Sequence, residues 1–181
     1  MSLPDLMLLS DAAGADTVAK LKNYYEAIYQ EFCRTAAHAD LTFQGARVIC
    51  PFKQPAKEGG FKDPPEMKHH SFWHCTSDGP EEETRIFDLR RCERIRWIGW
   101  VIQHADDPTL VRWWENQRPG KRGPKIHVPL WLFDHDYAVI LNKDSDRYYL
   151  RSAYVLKPKR TDDFEAEWQA NVAAKKAEAA G

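Results

Sequence analysis

One histidine lies among aromatic residues in a short segment of high β-propensity, and it is the first candidate for proton transfer. This is His74, within HHSFWHCTS at 69–77. Strand alternation would put Phe72, His74 and Thr76 on one face and Trp73 on the other. An imidazole titrates near neutral pH, so His74 has the chemistry of a general acid or base. The alternative is a half-buried histidine that only forms hydrogen bonds.

Two arginines on a predicted helix are candidates for binding a phosphate. The segment 89–105 fits an amphipathic helix with an isoleucine-rich face. Arg91 falls within that face and Arg94 on its flank. A guanidinium aimed at a sheet needs an anion, a carboxylate or a dipole, because burying an unpaired charge is costly. Either a substrate phosphate or a neighbouring carboxylate, Asp88 or Glu93, would meet that need.

The last predicted strand carries two hydroxyl groups. Under strict alternation, Leu150, Ser152 and Tyr154 share one face. The Ser152 hydroxyl could donate to a phosphate, or Ser152 could simply be a small strand residue. Tyr154 either belongs to the core or presents its ring and hydroxyl to a ligand.

Basic residues are unevenly distributed along the chain. The formal net charge is −1, which excludes a globally basic nucleic-acid coat protein. Yet 85–125 has ten Lys or Arg against five Asp or Glu, and 143–160 has six against two. The loop PGKRGPK at 119–125 includes Lys121 and Arg122, which suit a nucleic-acid backbone. We therefore predict a local basic patch.

The sequence carries no sign of a bound metal or cofactor. His69, His70, His74 and Cys75 cluster, but no Cys/His pair has zinc-finger spacing. There is also no P-loop, GxGxxG, GxSxG or HExxH motif. ATP hydrolysis, dinucleotide chemistry, the usual serine hydrolase site and zincin chemistry therefore lack their signatures.

Membrane insertion and export are not predicted. The longest apolar runs, WIGWVI and VPLWLF, have six residues each, whereas a spanning helix needs about 20. The N-terminal MSLPDLMLLSD has no basic region before its apolar residues. The four cysteines form no CxxC pair. We predict a cytoplasmic protein in a reducing compartment, with no membrane partner.

These candidates must be positioned by an α+β fold. We predict a helical segment over 1–40, with Asp16 as its N-cap, an α+β domain over 41–160, and a helical tail over 161–181. The predicted strands are 41–50, 69–77, 126–133, 137–142 and 147–156, and the predicted internal helices are 89–105 and 109–118. Short polar breaks between the last three strands indicate an antiparallel meander. Pro129 in the first of these predicts an edge strand or a bulge.

Three stretches resemble a known superfamily. They are SFWHCTSDGPEEETRIFDLRRCERIRWIGWVIQ, VRWWENQRPGKRG and YAVILNKDSDRYYLRSAYVL. They are similar to phage- and mobile-element-associated members of the barnase–EndoU–colicin–RelE (BECR) superfamily of metal-independent ribonucleases and toxins. The resemblance spans about His69 to Arg160. Its most specific pieces are FWH, DLRRCERIRW and YYLRSAY.

The resemblance implies a twisted antiparallel sheet of about four strands with RNA lying across one face. By position it assigns catalytic roles to His74, Arg91 and Ser152. Ser152 stands where the family usually has threonine, and this chain is not basic overall, as secreted ribonuclease toxins often are. RNA contacts are expected from Arg94, Trp73, Tyr154, Lys121 and Arg122, with aromatic rings stacking on bases.

Three functional hypotheses remain at this stage. The first is an endoribonuclease of the phage or toxin type, with RNA, including tRNA, as substrate and an antitoxin or immunity protein as partner. The second is a non-catalytic phage or mobile-element accessory protein that binds nucleic acid or a protein. The third is a structural homodimer that uses the tryptophan-rich surface and the C-terminal helix.

Overall fold

The computed structural model describes residues 2–51, 68–81, 84–119 and 123–180. The helices are α1 Thr17–Phe32, α2 His70–Thr76, α3 Leu89–Glu93, α4 Trp97–Gln103 and α5 Pro158–Ala180. The strands are β1 Thr42–Phe43, β2 Ala46–Ile49, β3 Ser77–Asp78, β4 Ile86–Phe87, β5 Val111–Trp113, β6 Asn116–Arg118, β7 Lys125–Leu132, β8 Tyr137–Asp144 and β9 Arg147–Val155. A π-helical turn, Cys33–Ala37, follows α1.

The described strands form one large mixed sheet and a small hairpin of β3 with β4. The large sheet has seven strands in the order β1-β2-β9-β8-β7-β5, with β6 also paired to β7. The predicted α+β class and the antiparallel meander β7-β8-β9 are confirmed. The prediction of about four antiparallel strands is wrong, because β2 pairs in parallel with β9. That pairing is non-local, so no adjacent turn signalled it.

The two faces of the sheet are covered differently. On one face, α1 and α4 bury a large apolar core that includes Phe32, Ile98 and Leu141. On the other face, α5 contributes Phe164 to a smaller cluster with Trp114, Trp131, Ala138, Ile140 and Leu156. The remainder of this second face carries the polar cleft described below.

The segment 69–77 is not a strand but contains the helix α2. Tertiary contacts override the β-propensity of its aromatic residues. The Ser71 hydroxyl donates to the Leu150 carbonyl at 2.8 Å, which fixes α2 against β9. Helical spacing brings the ring centroids of His70 and His74 within 4.5 Å.

The two internal helices were predicted with mixed success. Asp88 does cap a helix, accepting from the amide nitrogen of Arg90 at 2.9 Å. The single helix over 89–105 is wrong, because a turn at 94–96 divides it into α3 and α4. The helix over 109–118 is also wrong, because β5 and β6 occupy that segment and pair with β7.

Pro129 explains why β5 and β6 are separate. β5 pairs with 130–132 and β6 with 125–127, so within the described residues Pro129 has no pairing partner on that side of β7. A proline has no N–H to donate to a neighbouring strand. Of the two predicted alternatives, an edge strand or a bulge, the edge strand is wrong: β7 lies between β8 and the pair β5 and β6, and its pairing on the second side is interrupted at the proline.

The N-cap and the helical tail agree with the sequence, whereas 2–8 and 12–16 of the predicted N-terminal helical segment are not helical. The Asp16 carboxylate accepts from the Ala19 amide at 2.8 Å and caps α1. The helical tail is confirmed, and α5 begins at Pro158 rather than 161. None of the described helices is long and apolar enough to cross a membrane.

Candidate active site: an arginine-rich cleft

A cleft of about 340 Å³ opens on the second face of the sheet, beside the start of α5. Its floor is formed by β7, β8 and β9, and its walls by the end of α2, the β3–β4 turn, α3, β6 and α5. We call it the arginine cleft. Among the described residues it is lined by one carboxylate, Asp78, two histidines and five arginines: His74, His127, Arg85, Arg91, Arg118, Arg151 and Arg160.

A β-bulge determines which residues of β9 face the cleft. Ile140 of β8 pairs with Ser152 and the next residue, Leu141, pairs with Leu150, so Arg151 is the extra residue. A bulge redirects side chains relative to strict alternation. Leu150 therefore packs in the main core, while Arg151 and Ser152 line the cleft with Tyr154. The predicted common face of Leu150 with Ser152 is wrong for this reason.

The Arg91 side chain is fixed in the cleft by several contacts. It is only 9% exposed, and its Nη2 lies 2.6 Å from a carboxylate oxygen of Asp78. Its Nη1 donates to the His74 carbonyl at 3.1 Å and lies 3.5 Å from the Ser152 hydroxyl. Its guanidinium carbon is 5.3 Å from the centre of the Tyr154 ring. The charge is thus paired while one side still faces the cleft.

The Ser152 hydroxyl forms a hydrogen bond within the protein. It donates to the His74 carbonyl at 2.9 Å. This bond ties the C-terminal half of α2 to β9 and so fixes the backbone that carries the imidazole.

The His74 imidazole is held neutral. Burial lowers its pKa to about 3, and the cations Arg85, Arg151 and Arg91 and the neighbouring His70 add to the effect. The ring is therefore uncharged at neutral pH, and an anionic phosphate bound among these cations would raise its pKa toward the range of an efficient base.

His127 is a cleft residue that the sequence reasoning did not single out. It lies on β7, and its pKa is lowered by burial and then by Arg151, Arg118 and Lys125. A sequence signal existed: in IHVPLWLF, alternation puts His127 and Pro129 opposite the buried Val128 and Leu130.

Two predicted site residues, Trp73 and Arg94, do not line the arginine cleft, and two more lie outside the described residues. Trp73 is buried, at 8% exposure. Arg94 donates to the Arg90 carbonyl at 2.9 Å and stacks on Trp97, 5.1 Å from the ring centre. Lys121 and Arg122 lie outside the described residues.

The cations of the cleft differ in how fully they are engaged. Arg118 and Arg160 both contact the Glu167 carboxylate of α5, at 3.0 and 3.3 Å. Arg85 donates to the Ser77 carbonyl at 2.6 Å and to the Gly79 carbonyl at 2.8 Å. Arg151 is exposed and has no hydrogen bond or ion pair with any other described residue.

A second groove of about 320 Å³ continues from the arginine cleft. The two share Asp78, Arg91, Tyr154 and Arg160 as lining residues, and the second groove extends to Arg90 and Lys157. Within the described residues, no group of three or more His, Cys, Asp or Glu side chains is arranged to hold a metal ion.

Comparison of the sequence with protein-family models, curated proteins and solved structures gave no match in any of the three. The BECR resemblance therefore stays a prediction from the motifs.

Proposed function

We propose that the protein is a metal-independent endoribonuclease of the phage or toxin type. One observation carries the proposal: residues selected from three separate segments, His74, Arg91, Ser152 and Tyr154, line a single cationic cleft. The cleft volume, about 340 Å³, is in the range of small-ligand sites.

The proposed reaction is internal transesterification of RNA. The neutral His74 imidazole takes the proton of a ribose 2′-hydroxyl, and the resulting oxygen attacks the adjacent phosphorus. The bond from phosphorus to the 5′-oxygen breaks, and this oxygen takes up a proton from an acid of the cleft or from water, leaving a 2′,3′-cyclic phosphate and a 5′-hydroxyl. Arginines stabilise the charge that develops on the phosphorane oxygens. Ser152 and Arg91 hold the His74 backbone in place.

The first experiment is incubation of the purified protein with tRNA and with a mixed single-stranded RNA in EDTA. We expect cleavage by the wild type and at least about a 100-fold loss in His74→Ala and Arg91→Ala, as for removal of an acid–base or charge-stabilising group. Arg47→Ala is the matched control, because Arg47 is an exposed residue of β2 whose side chain pairs with Asp40. Circular dichroism checks the folding of each variant.

A substrate control tests the nucleophile. An oligonucleotide with 2′-deoxyribose at every position lacks the attacking hydroxyl, so it should bind but stay intact. Its cleavage in EDTA would contradict the transesterification mechanism.

A non-catalytic nucleic-acid-binding protein is the second candidate. Arg91 and Ser152 are already engaged with Asp78 and the His74 carbonyl, which favours a structural role for both. Salt-sensitive RNA binding without any cleavage at high protein concentration would select this candidate.

A further inference from the structure

Two histidines approach the arginine cleft from different elements. His74 lies near the end of α2, whose backbone is bonded to Ser152 of β9. His127 lies on β7, paired with Asn142 of β8. Since β8 lies between β7 and β9, the strands β7 and β9 are roughly 10 Å apart across the sheet. Both imidazoles line the same cleft.

The positive charge of Arg151 acts on both histidines. Its charge contributes to the lowered pKa of His74 and is the first cation after burial to lower the pKa of His127. It is the extra residue of the β9 bulge, and no other described residue pairs with it. A cation without an ion pair to any described residue, in a cleft that both imidazoles line, is a place for an anion.

We propose that Arg151 binds the scissile phosphate and that His127 donates the proton to the leaving 5′-oxygen. The inference rests on the proposed ribonuclease function and deepens it. His74 gains the proton of the 2′-hydroxyl, and the His127 imidazolium loses one to the 5′-oxygen as the P–O bond breaks. Hydrolysis of the cyclic phosphate, or proton exchange with water, restores both rings.

The two roles set the direction of the pH dependence. His74 must be neutral, which holds above its pKa of about 3. His127 must be protonated, and burial followed by the cations Arg151, Arg118 and Lys125 lowers its pKa below the usual 6.5. The value of kcat/KM should therefore be highest on the acidic side of pH 6.5 and fall as pH rises.

A substrate with a good leaving group distinguishes the proton-donor role of His127 from the proton-acceptor role of His74. A 5′-bridging phosphorothiolate in RNA releases a thiolate, which needs no protonation. His127→Ala should lose at least about 100-fold on ordinary RNA and less than about 10-fold on the phosphorothiolate. His74→Ala should lose activity on both ordinary RNA and the phosphorothiolate. His135→Ala, in the exposed 133–135 turn, is the control.

Arg151 has its own readout. Arg151→Gln should raise the KM for a dinucleotide and lower kcat, whereas Arg151→Lys should recover part of both.

His127→Gln serves as a second variant if His127→Ala does not fold by circular dichroism.

The possible failures are distinguishable. If the wild type cleaves neither substrate, the ribonuclease function itself is wrong, and this inference goes with it. If the wild type cleaves and His127→Ala cleaves ordinary RNA at the wild-type rate, only the inference is wrong. An equal loss on both substrates in His127→Ala overturns the donor role.

Discussion

Among single residues, Arg91 connects the most segments of the site. It contacts Asp78 beyond α2, the His74 carbonyl in α2 and the Tyr154 ring in β9. The Arg91 guanidinium is buried, so Arg91→Ala removes its hydrogen bonds and leaves the half-exposed Asp78 carboxylate without this cation. A loss of activity in Arg91→Ala therefore has to be read together with its folding.

Ser152 offers a cleaner test of how the His74 backbone is held. Ser152→Ala removes one hydroxyl that donates to the His74 carbonyl, and a typical hydrogen bond contributes about 1 kcal/mol net. We expect that loss in the free energy of unfolding, measured by urea denaturation. Ser152→Thr keeps the hydroxyl and should stay near the wild type. Equal stability in all three proteins would show that this bond contributes nothing.

The pKa of His74 predicts how stability changes with pH. In the unfolded chain this ring titrates near 6.5, and in the fold near 3. Between these values the unfolded state binds the extra proton, so the contribution to stability is full above 6.5 and is lost as pH falls toward 3. The slope for one proton is at most about 1.4 kcal/mol per pH unit.

His74→Gln should therefore lose less stability than the wild type between pH 7 and pH 4.5. Urea midpoints at both values, converted to free energies of unfolding, provide the comparison. His135→Gln removes a histidine outside the cleft and should keep the wild-type slope. Parallel wild-type and His74→Gln slopes would show that the neutral ring is not favoured by folding.

At the scale of elements, α4 crosses the π turn after α1 at a glycine. A Cβ at Gly99 would lie 1.9 Å from the Thr35 carbonyl oxygen, a backbone atom that cannot rotate away. Gly99→Ala should cost about 1–3 kcal/mol or more, although alanine is the better helix former by about 0.5–1 kcal/mol. Gln103→Ala, exposed on the same helix, should stay within about 0.5 kcal/mol. A stabilised Gly99→Ala would mean that the helices can separate freely.

One carboxylate of α5, that of Glu167, makes several polar contacts with the sheet. Glu167 accepts from the Trp114 indole at 3.1 Å, from the Asn116 amide at 2.7 Å and from Arg118 and Arg160. Trp114 is only 2% exposed, so its N–H would lose its partner in Glu167→Ala.

We expect Glu167→Ala to lower the free energy of unfolding by about 1–3 kcal/mol, the cost of an unsatisfied buried group. Thermal or urea unfolding measures the loss. Glu178→Ala, exposed near the end of the same helix, is the control and should stay within about 0.5 kcal/mol. Similar stability of the two variants would show that these contacts do not stabilise the fold.

Elements with local signals were predictable, and those set by distant partners were not. The caps at Asp16 and Asp88 and the β7-β8-β9 meander follow from residues close in sequence. The helix at 70–76 and the strands at 111–118 depend on β9 and β7, which are far along the chain.

The same distinction holds within the site. Arg91 is buried, as expected, although the turn at 94–96 separates it from the isoleucines with which one continuous helix would have grouped it. The face of Arg151 was not predictable, because a one-residue bulge shifts the alternation of β9 and has no sequence mark of its own.

At the scale of the whole molecule, the net charge is −1, yet cationic side chains are concentrated along the arginine cleft and the second groove. The arginine cleft and the second groove form one continuous path, since they share Arg91, Tyr154 and Arg160. A concave cationic surface concentrates field and attracts a polyanion even on a protein of low net charge. A single strand lying along this path would place further phosphates beside Arg90 and Lys157.

This path predicts a change in the salt dependence of RNA binding. Each phosphate contact to single-stranded nucleic acid contributes about 0.7 to the slope of log K against log salt. The double variant Arg90→Gln with Lys157→Gln should therefore reduce the magnitude of the slope by about 1.4, measured by fluorescence anisotropy with a labelled single-stranded RNA. Lys20→Gln with Lys22→Gln removes two exposed charges of α1 and should leave the slope unchanged. Equal slopes for the two double variants would mean that RNA does not follow the second groove, because two charges there would then bind no more phosphate than two on a distant helix.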